Sequence, residues 1–276
     1  MPITFTAQAQ SATIKTPRYG YNSFISMKID KTLCSDGSYT FFDNGTVYDR
    51  RKCSAQWLLT ATELNNMNTM FKDPLKSRGE DVTLNLGTNS GFYPFGPDYG
   101  DSGEFVVRVL NYNQGGQLFQ PFRYYILALE LQYISGPSPS YSFSDNCDDG
   151  NLQIGTITGI RYPQAGYDPE TPYKVFNAVT FTGDVYSRDA GQISDIFETS
   201  FKISGNQGKM AALIDYIVST ARSSNTTIIT QANNYLFGRD KSASGSMIVQ
   251  PTVYEYDILH DRFDNFSFDY SCRFVS

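Results

Sequence analysis

The sequence predicts a mainly β protein: two tandem copies of one β-sandwich or barrel domain, each carrying a single short helix. Three observations lead there. The first is a spaced internal repeat. Tyr93-Pro94-Phe95-Gly96-Pro97-Asp98, followed by Ser102-Gly103 and Val107, returns as Tyr235-Leu236-Phe237-Gly238-Arg239-Asp240, followed by Ser244-Gly245 and Val249. The template is Y-x-F-G-x-D-x-x-x-S-G-x-x-x-V, and its fixed positions all recur at one constant offset (235 against 93, 244 against 102, 249 against 107). A fixed period of this kind marks repeated structural units. The second is composition. Aromatic residues make up 15% of the chain and charged residues only 18%, the profile of strands separated by polar turns. The third is that the elements flanking the template recur in the same order.

Taken along the chain, residues 1–20 read as a polar N-terminal arm, rich in Thr, Gln and Ala from Met1 to Pro17. Gly45-Thr46-Val47-Tyr48-Asp49-Arg50 matches Gly183-Asp184-Val185-Tyr186-Ser187-Arg188, at a slightly shorter offset (183 against 45), and reads as a glycine-led strand in each copy. Ser54 to Leu59 is a second strand and holds the only tryptophan, Trp57. Thr60 and Glu63 then form a capping box, in which each satisfies an amide that the first helical turn leaves open. Behind it Leu64, Met67, Met70 and Phe71 fall on one helical face. The second copy repeats this with the alternating run Phe197, Thr199, Phe201, Ile203, then Met210, Leu213, Ile214 and Ile217.

Each copy closes on an alternating strand. Tyr125, Leu127, Leu129, Leu131 and Tyr133 answer to Phe266, Phe268, Tyr270, Cys272 and Phe274, again at nearly the same offset (266 against 125). Between the copies, Ser135-Gly136-Pro137-Ser138-Pro139 and the acidic run Asp145 to Gly150 have the composition of a linker. The expected organisation is an arm at 1–20, a first β domain at 21–134, a linker at 135–151 and a second β domain at 152–276.

Motifs for chemistry are sparse. The one histidine, His260, is expected in a loop at a hairpin tip, and no G-x-S-x-G serine accompanies it. The four cysteines (Cys34, Cys53, Cys147, Cys272) form no C-x-x-C pair and provide no zinc spacing; they are expected as thiols, with Cys34–Cys53 the one conceivable bridge. Asp145-Asn146-Cys147-Asp148-Asp149-Gly150 departs from a calcium loop at its third position, and Thr156 stands where a bidentate Glu belongs. Asn44, Asn225 and Asn265 match the Asn-x-Ser/Thr glycosylation pattern, by coincidence in an Asn- and Thr-rich chain. No run reaches the ~18 apolar residues of a membrane span, and the N-terminus lacks the basic and apolar regions of a secretory signal. A net charge of −6 argues against a general nucleic-acid-binding surface, while DNA passing an acidic lumen is compatible with it. The expectation is no enzyme activity, no cofactor and no metal site. Tyr93, Phe95, Gly96 and Asp98, with Tyr235, Phe237, Gly238 and Asp240, are expected to hold each copy together, with Asp98 and Asp240 capping the turn after the glycine.

The run Val47-Tyr48-Asp49-Arg50-Arg51, then Trp57-Leu58-Leu59-Thr60 with Glu63, Leu64, Met67 and Phe71, resembles tail proteins of long-tailed bacteriophages. The likeness covers about Gly45 to Tyr133, with an echo from Gly183 to Phe274, where Phe201 stands near the tryptophan's place. It implies the tail-tube fold, a β-sandwich or barrel flanked by one helix, found in tube, distal-tail and baseplate-hub proteins. It further implies a structural virion protein, assembled in the host cytoplasm, whose duplicated domains close a ring of six as a trimer around the DNA channel at the tail tip or baseplate. Its partners would be itself and the tail proteins above and below, with DNA met only in passage. A tube protein with a duplicated domain is the near alternative. A carbohydrate- or receptor-binding β-sandwich, stacking sugars on Tyr-rich loops such as Gly91 to Tyr99, is the alternative from another class. The arm Met1 to Pro17 and the stretch Phe71 to Ser90 are expected to make contacts between rings or subunits.

Overall fold

Period-two alternation sets the strands. From Arg50 to Leu59, Arg51, Cys53, Ala55, Trp57 and Leu59 point inward, and their neighbours Ser54, Gln56 and Leu58 point to solvent. The computed structural model describes the chain except for residues 9, 18–19, 35–38, 73–79, 119–123, 139–151, 162–167, 171–174, 182, 190–196, 231–234, 238–243 and 262–264.

The first half contains β1 (Pro2–Ala7), β2 (Gln10–Lys15), β3 (Tyr21–Ser26), β4 (Ile29–Leu33), β5 (Tyr39–Asp43), β6 (Arg50–Leu59), α1 (Ala61–Phe71), β7 (Asp81–Asn85), β8 (Glu104–Leu118) and β9 (Tyr124–Ser135). The second contains β10 (Leu152–Ile154), β11 (Ile157–Ile160), β12 (Asp168–Glu170), β13 (Val175–Val179), β14 (Val185–Asp189), β15 (Glu198–Asn206), α2 (Gln207–Asp215), β16 (Thr226–Thr230), β17 (Gly245–Pro251), β18 (Glu255–His260) and β19 (Asn265–Phe274). A single π turn, Tyr216–Thr220, extends α2.

All pairings are antiparallel, and the diagram of the first half returns in the second. The first runs β2-β1-β7-β8-β9-β6-β3, with β4–β5 a separate hairpin. The second runs β11-β10-β16-β17-β19-β15-β12, with β13–β14 a separate hairpin. Register agrees in detail. Ile29 faces Asp43 and Val175 faces Asp189, so the shift from one hairpin to the other is the same on both strands (175 against 29, 189 against 43). Val107 of the template faces Val82, and its counterpart Val249 faces Thr226. One strand joins the halves: β18 pairs with β19 on one side and with β3 on the other.

Two hydrophobic clusters fill this β-rich, sandwich-like fold. Trp57, Phe5, Phe92, Phe95 and Phe105 are fully buried in the first; Phe201, Phe237, Phe266, Phe268 and Tyr270 in the second. Each large side chain buried in this way contributes about 1.5–3 kcal/mol. The helices dock with the residues that their spacing singled out: Leu64, Met67, Met70 and Phe71 on α1, and Met210, Leu213, Ile214 and Ile217 on α2 and its π turn. The capping box at Thr60 is formed in full: Glu63 N–H donates to Thr60 Oγ1 at 3.3 Å, and Thr60 N–H donates to Glu63 Oε2 at 2.8 Å. Asn206, the counterpart of Thr60 in the second half, caps α2 through its side-chain oxygen.

Three expectations are corrected. Residues 1–20 are not an arm: Pro2–Ala7 and Gln10–Lys15 form a hairpin that inserts Ile3, Phe5, Ala7, Ala12 and Ile14 into the first cluster. The stretch Phe71 to Ser90 is not a free contact segment where it is described, since β7 lies between β1 and β8 and buries Val82 and Leu84. The match of Gly45–Arg50 to Gly183–Arg188 is out of phase. Thr46–Tyr48 is a 3₁₀ turn ahead of β6, whereas Val185–Asp189 is the second strand of a hairpin, so the structural counterpart of Val185 is Tyr39 rather than Val47. The acidic run at 145–150 and Cys147 lie outside the described residues; Cys34, Cys53 and Cys272 are free thiols.

Candidate functional site

The template residues form a buried structural knot in the first half. Arg51 comes inward on β6, where alternation leaves it no other direction, and meets the loop after Tyr93. Its Nη2 lies 2.7 Å from Asp98 Oδ2, while Nη1 donates to Asp98 Oδ1 at 2.9 Å and to the Phe95 carbonyl at 2.7 Å. The guanidinium also sits 4.4 Å from the centre of the Tyr99 ring, a cation–π contact. Burial pushes the Asp98 carboxyl above its ordinary value, and the Arg51 charge and hydrogen bond oppose that rise. Gly96 has φ +109°, and a Cβ there would stand 2.7 Å from Asp98 Oδ1, so the turn requires glycine. The acid expected as a turn cap therefore anchors the loop to β6.

The aromatic part of the template recurs in both halves. Phe95 packs on Tyr133 with centroids 5.3 Å apart, and Phe237 packs on Phe274 at 5.6 Å. Tyr133 and Phe274 hold the same place on their closing strands, and Gly103 and Gly245 both take positive φ where the following strand begins. Tyr93 and Tyr235 are half-buried; Gly238 and Asp240 lie outside the described residues. Tyr93 departs from a purely local role, since its ring meets Phe266 of the second half at 5.2 Å.

Polar and aromatic contacts between distant parts of the chain gather where the first half meets the second. Tyr21 to Ser26 on β3 face His260 to Glu255 on β18, with Asn22 donating to Asp257 and Ser26 to Glu255, both at 3.1 Å. The β4–β5 hairpin lies on the second half. Phe41 meets Tyr254 at 5.7 Å, Lys31 donates to the Thr252 carbonyl at 2.7 Å, and Arg273 approaches the Tyr39 ring at 5.4 Å. Arg222 clamps the base of that hairpin, at 2.6 Å from Asp43 Oδ2 and 2.6 and 2.9 Å from the Asp49 carboxylate. Its hydrogen bond holds the Asp43 carboxyl below its ordinary value of 3.8. Finally α2 sits on the first-half turn Pro97–Tyr99, with Gln207 donating to the Pro97 carbonyl at 3.0 Å. Ile25, Met27 and Ile29 of the first half complete the second hydrophobic cluster.

The outward face of the joined strands carries charged and polar side chains from one half to the other, with Phe24, Leu58 and Leu259 exposed among them. Lys52 pairs with Glu130 at 3.1 Å and Lys202 faces Asp269 across the β15–β19 ladder, with Glu255 and Asp257 between them on β18. Cross-strand pairs of opposite charge stabilise such a face modestly, by roughly 0.2–1 kcal/mol each.

Neither a protein-family model nor a curated protein matches the chain. His260 is not a loop residue: it ends β18, is 4% exposed, and stacks 4.6 Å from Tyr21 and 4.8 Å from Phe266. In the loop from Gly91 to Tyr99, Phe92 and Phe95 are fully buried and Tyr93 and Tyr99 are half-buried. Among the described residues no group of three His, Cys, Asp or Glu side chains is placed to hold a metal ion, and no helix is long and apolar enough to cross a membrane. Sequence reasoning did not connect Arg222 with Asp43 and Asp49, which lie far from it along the chain; only their folded positions bring them together.

Proposed function

We propose that this chain is a structural protein of a bacteriophage tail, two tandem tail-tube-like domains that close a ring of three copies around the DNA channel at the tail tip or baseplate. One observation carries the reading: the same pairing diagram occurs twice, and the halves meet front to back rather than face to face. The first half presents β3, the β4–β5 hairpin and the Pro97–Tyr99 turn; the second receives them on β18, β19 and α2. A front-to-back contact leaves an unused front and an unused back on every chain, and repetition of such a contact generates a closed ring or an open filament. Six units from three chains is the closed solution that the resemblance implies. The outward face shared by β15, β19, β18, β3, β6 and β9 would supply the wall, with Glu255 and Asp257 on β18 as the carboxylates that repel phosphate, beside Lys52 and Lys202 in opposite-charge pairs. The near alternative, a tube protein, uses the same ring in stacked layers and differs in copy number per particle.

The test is the mass of the purified protein by light scattering, with negative-stain images of the same sample. A three-chain annulus with a central hole is expected. A two-fold dimer, or a monomer at millimolar concentration, would overturn the proposal.

A further inference from the structure

We infer that the β13–β14 hairpin is an arm that grips the first half of a second copy of this chain, across the position where Lys52 faces Gln132. The inference rests on the ring reading above and adds the contact that makes it. The template for it lies inside the chain. The β4–β5 hairpin, identical in register and one repeat earlier, is folded onto the second half by Phe41, Lys31, Tyr39 and the Arg222 clamp on Asp43. Its counterpart leaves large apolar side chains exposed. Val179 is 71% exposed, Phe181 108%, Val185 65% and Tyr186 72%. Four large apolar side chains on a two-stranded hairpin that pairs with nothing else among the described residues are costly in water, and such clusters mark contact surfaces.

The receiving surface is fixed by the same correspondence. Tyr39 meets Arg273, which faces Glu198 across the β15–β19 ladder; in the first half the matching pair is Gln132 facing Lys52 across β9 and β6. Val185 stands where Tyr39 does, one repeat on, and so is directed to Gln132 of the next copy. The neighbouring strand edge is also open. In the second half β18 pairs with β19 and with β3, whereas the distal part of β8, beyond Arg108, pairs among the described residues only with β9. β3 is bonded on both edges, while its counterpart β12 is bonded, among the described residues, only to β15. The exposed apolar side chains of the hairpin and the strand edges left open among the described residues are thus complementary between two chains, and the contact is heterologous.

The experiment uses the full chain with Cys34→Ser and Cys147→Ser, leaving the buried Cys53 and Cys272, and adds Val185→Cys to one preparation and Gln132→Cys to another. A short bismaleimide should link the two only when they are mixed, and neither alone. In parallel, Phe181→Ser with Tyr186→Ser should weaken self-association at least tenfold while leaving the thermal midpoint of the unassociated chain unchanged, since those side chains are exposed. A multi-chain particle with no cross-link in the mixture overturns the hairpin contact and leaves the ring reading standing. A cross-link with an open-ended series of masses supports the hairpin and overturns the closed trimer. A chain that neither associates nor cross-links at millimolar concentration overturns both.

Discussion

Arg51 and Asp98 form a two-pronged ion pair, 2.7 and 2.9 Å long, in the floor of the first half, and the same guanidinium bonds the Phe95 carbonyl. Both side chains are at least nine-tenths buried. Attraction and desolvation nearly cancel for such a pair, but removal of one partner leaves a charge with neither water nor a counter-ion. Asp98→Ala should therefore destabilise the protein by about 3–5 kcal/mol. The midpoint of urea unfolding measures it, and an unchanged slope would show that the loss lies in stability rather than in the extent of the folded state.

Gly96 tests the same knot from the backbone. Its φ of +109° strains any L side chain, and its Cβ would press on the Asp98 oxygen that Arg51 binds. Gly96→Ala should cost about 1–3 kcal/mol. Gly45, with φ +88° and open space around it, should respond to the same change less strongly, because backbone conformation alone opposes it there. Paired thermal or urea melts of the two variants separate the steric contribution from the conformational one.

What was legible in the sequence was local. The strand at Trp57, both helical faces and the capping box each depend on near neighbours in the chain, so spacing alone located them. The β1–β2 hairpin escaped because its inward positions include small Ala7 and Ala12 among threonines, and an alternation built on alanine is weak against a polar background. The repeat is legible at the template, whereas the likeness of Gly45–Arg50 to Gly183–Arg188 does not follow the pairing of the strands. Glycine-led turns look alike, while only the pairing of Ile29 with Asp43 and of Val175 with Asp189 reveals which turn answers to which. The junction could not be read at all. Asp43, Asp49 and Arg222 are ordinary surface residues in a linear sequence, and their meaning arises from the contact of the two halves.

The helix caps permit a prediction with an internal control. Thr60 satisfies the Glu63 amide and receives Glu63 in return, whereas Asn206 satisfies the Lys209 amide without a reciprocal carboxylate. Thr60→Ala should cost about 1 kcal/mol and Asn206→Ala a similar amount. Adding Glu63→Ala to Thr60→Ala should bring much less than its separate cost, since the two side chains act as one device. A double-mutant cycle by chemical unfolding reads the coupling directly.

The clamp between the halves should carry an acid-sensitive part of the stability. The Arg222 hydrogen bond lowers the Asp43 carboxyl below its ordinary value of 3.8, and the Gly45 amide adds to that, against a smaller opposing effect of burial than the clamp exerts. A carboxyl lowered on folding contributes stability above its unfolded pKa and loses that contribution as pH falls through the folded one. The contribution of Asp43 should accordingly be constant above about pH 5 and vanish as pH falls below about 4. Asp43→Asn keeps the shape and removes the titration, leaving Arg222 on Asp49. Thermal midpoints of wild type and variant should thus be separated by a fixed interval at neutral pH, wild type higher, and converge in acid. A separation that persists in strong acid would place the Asp43 contribution in packing instead of charge. At neutral pH, where the thiolate fraction is the same in both proteins, the looser hairpin of Asp43→Asn should also make Cys34, which follows β4, react faster with a thiol reagent than in wild type.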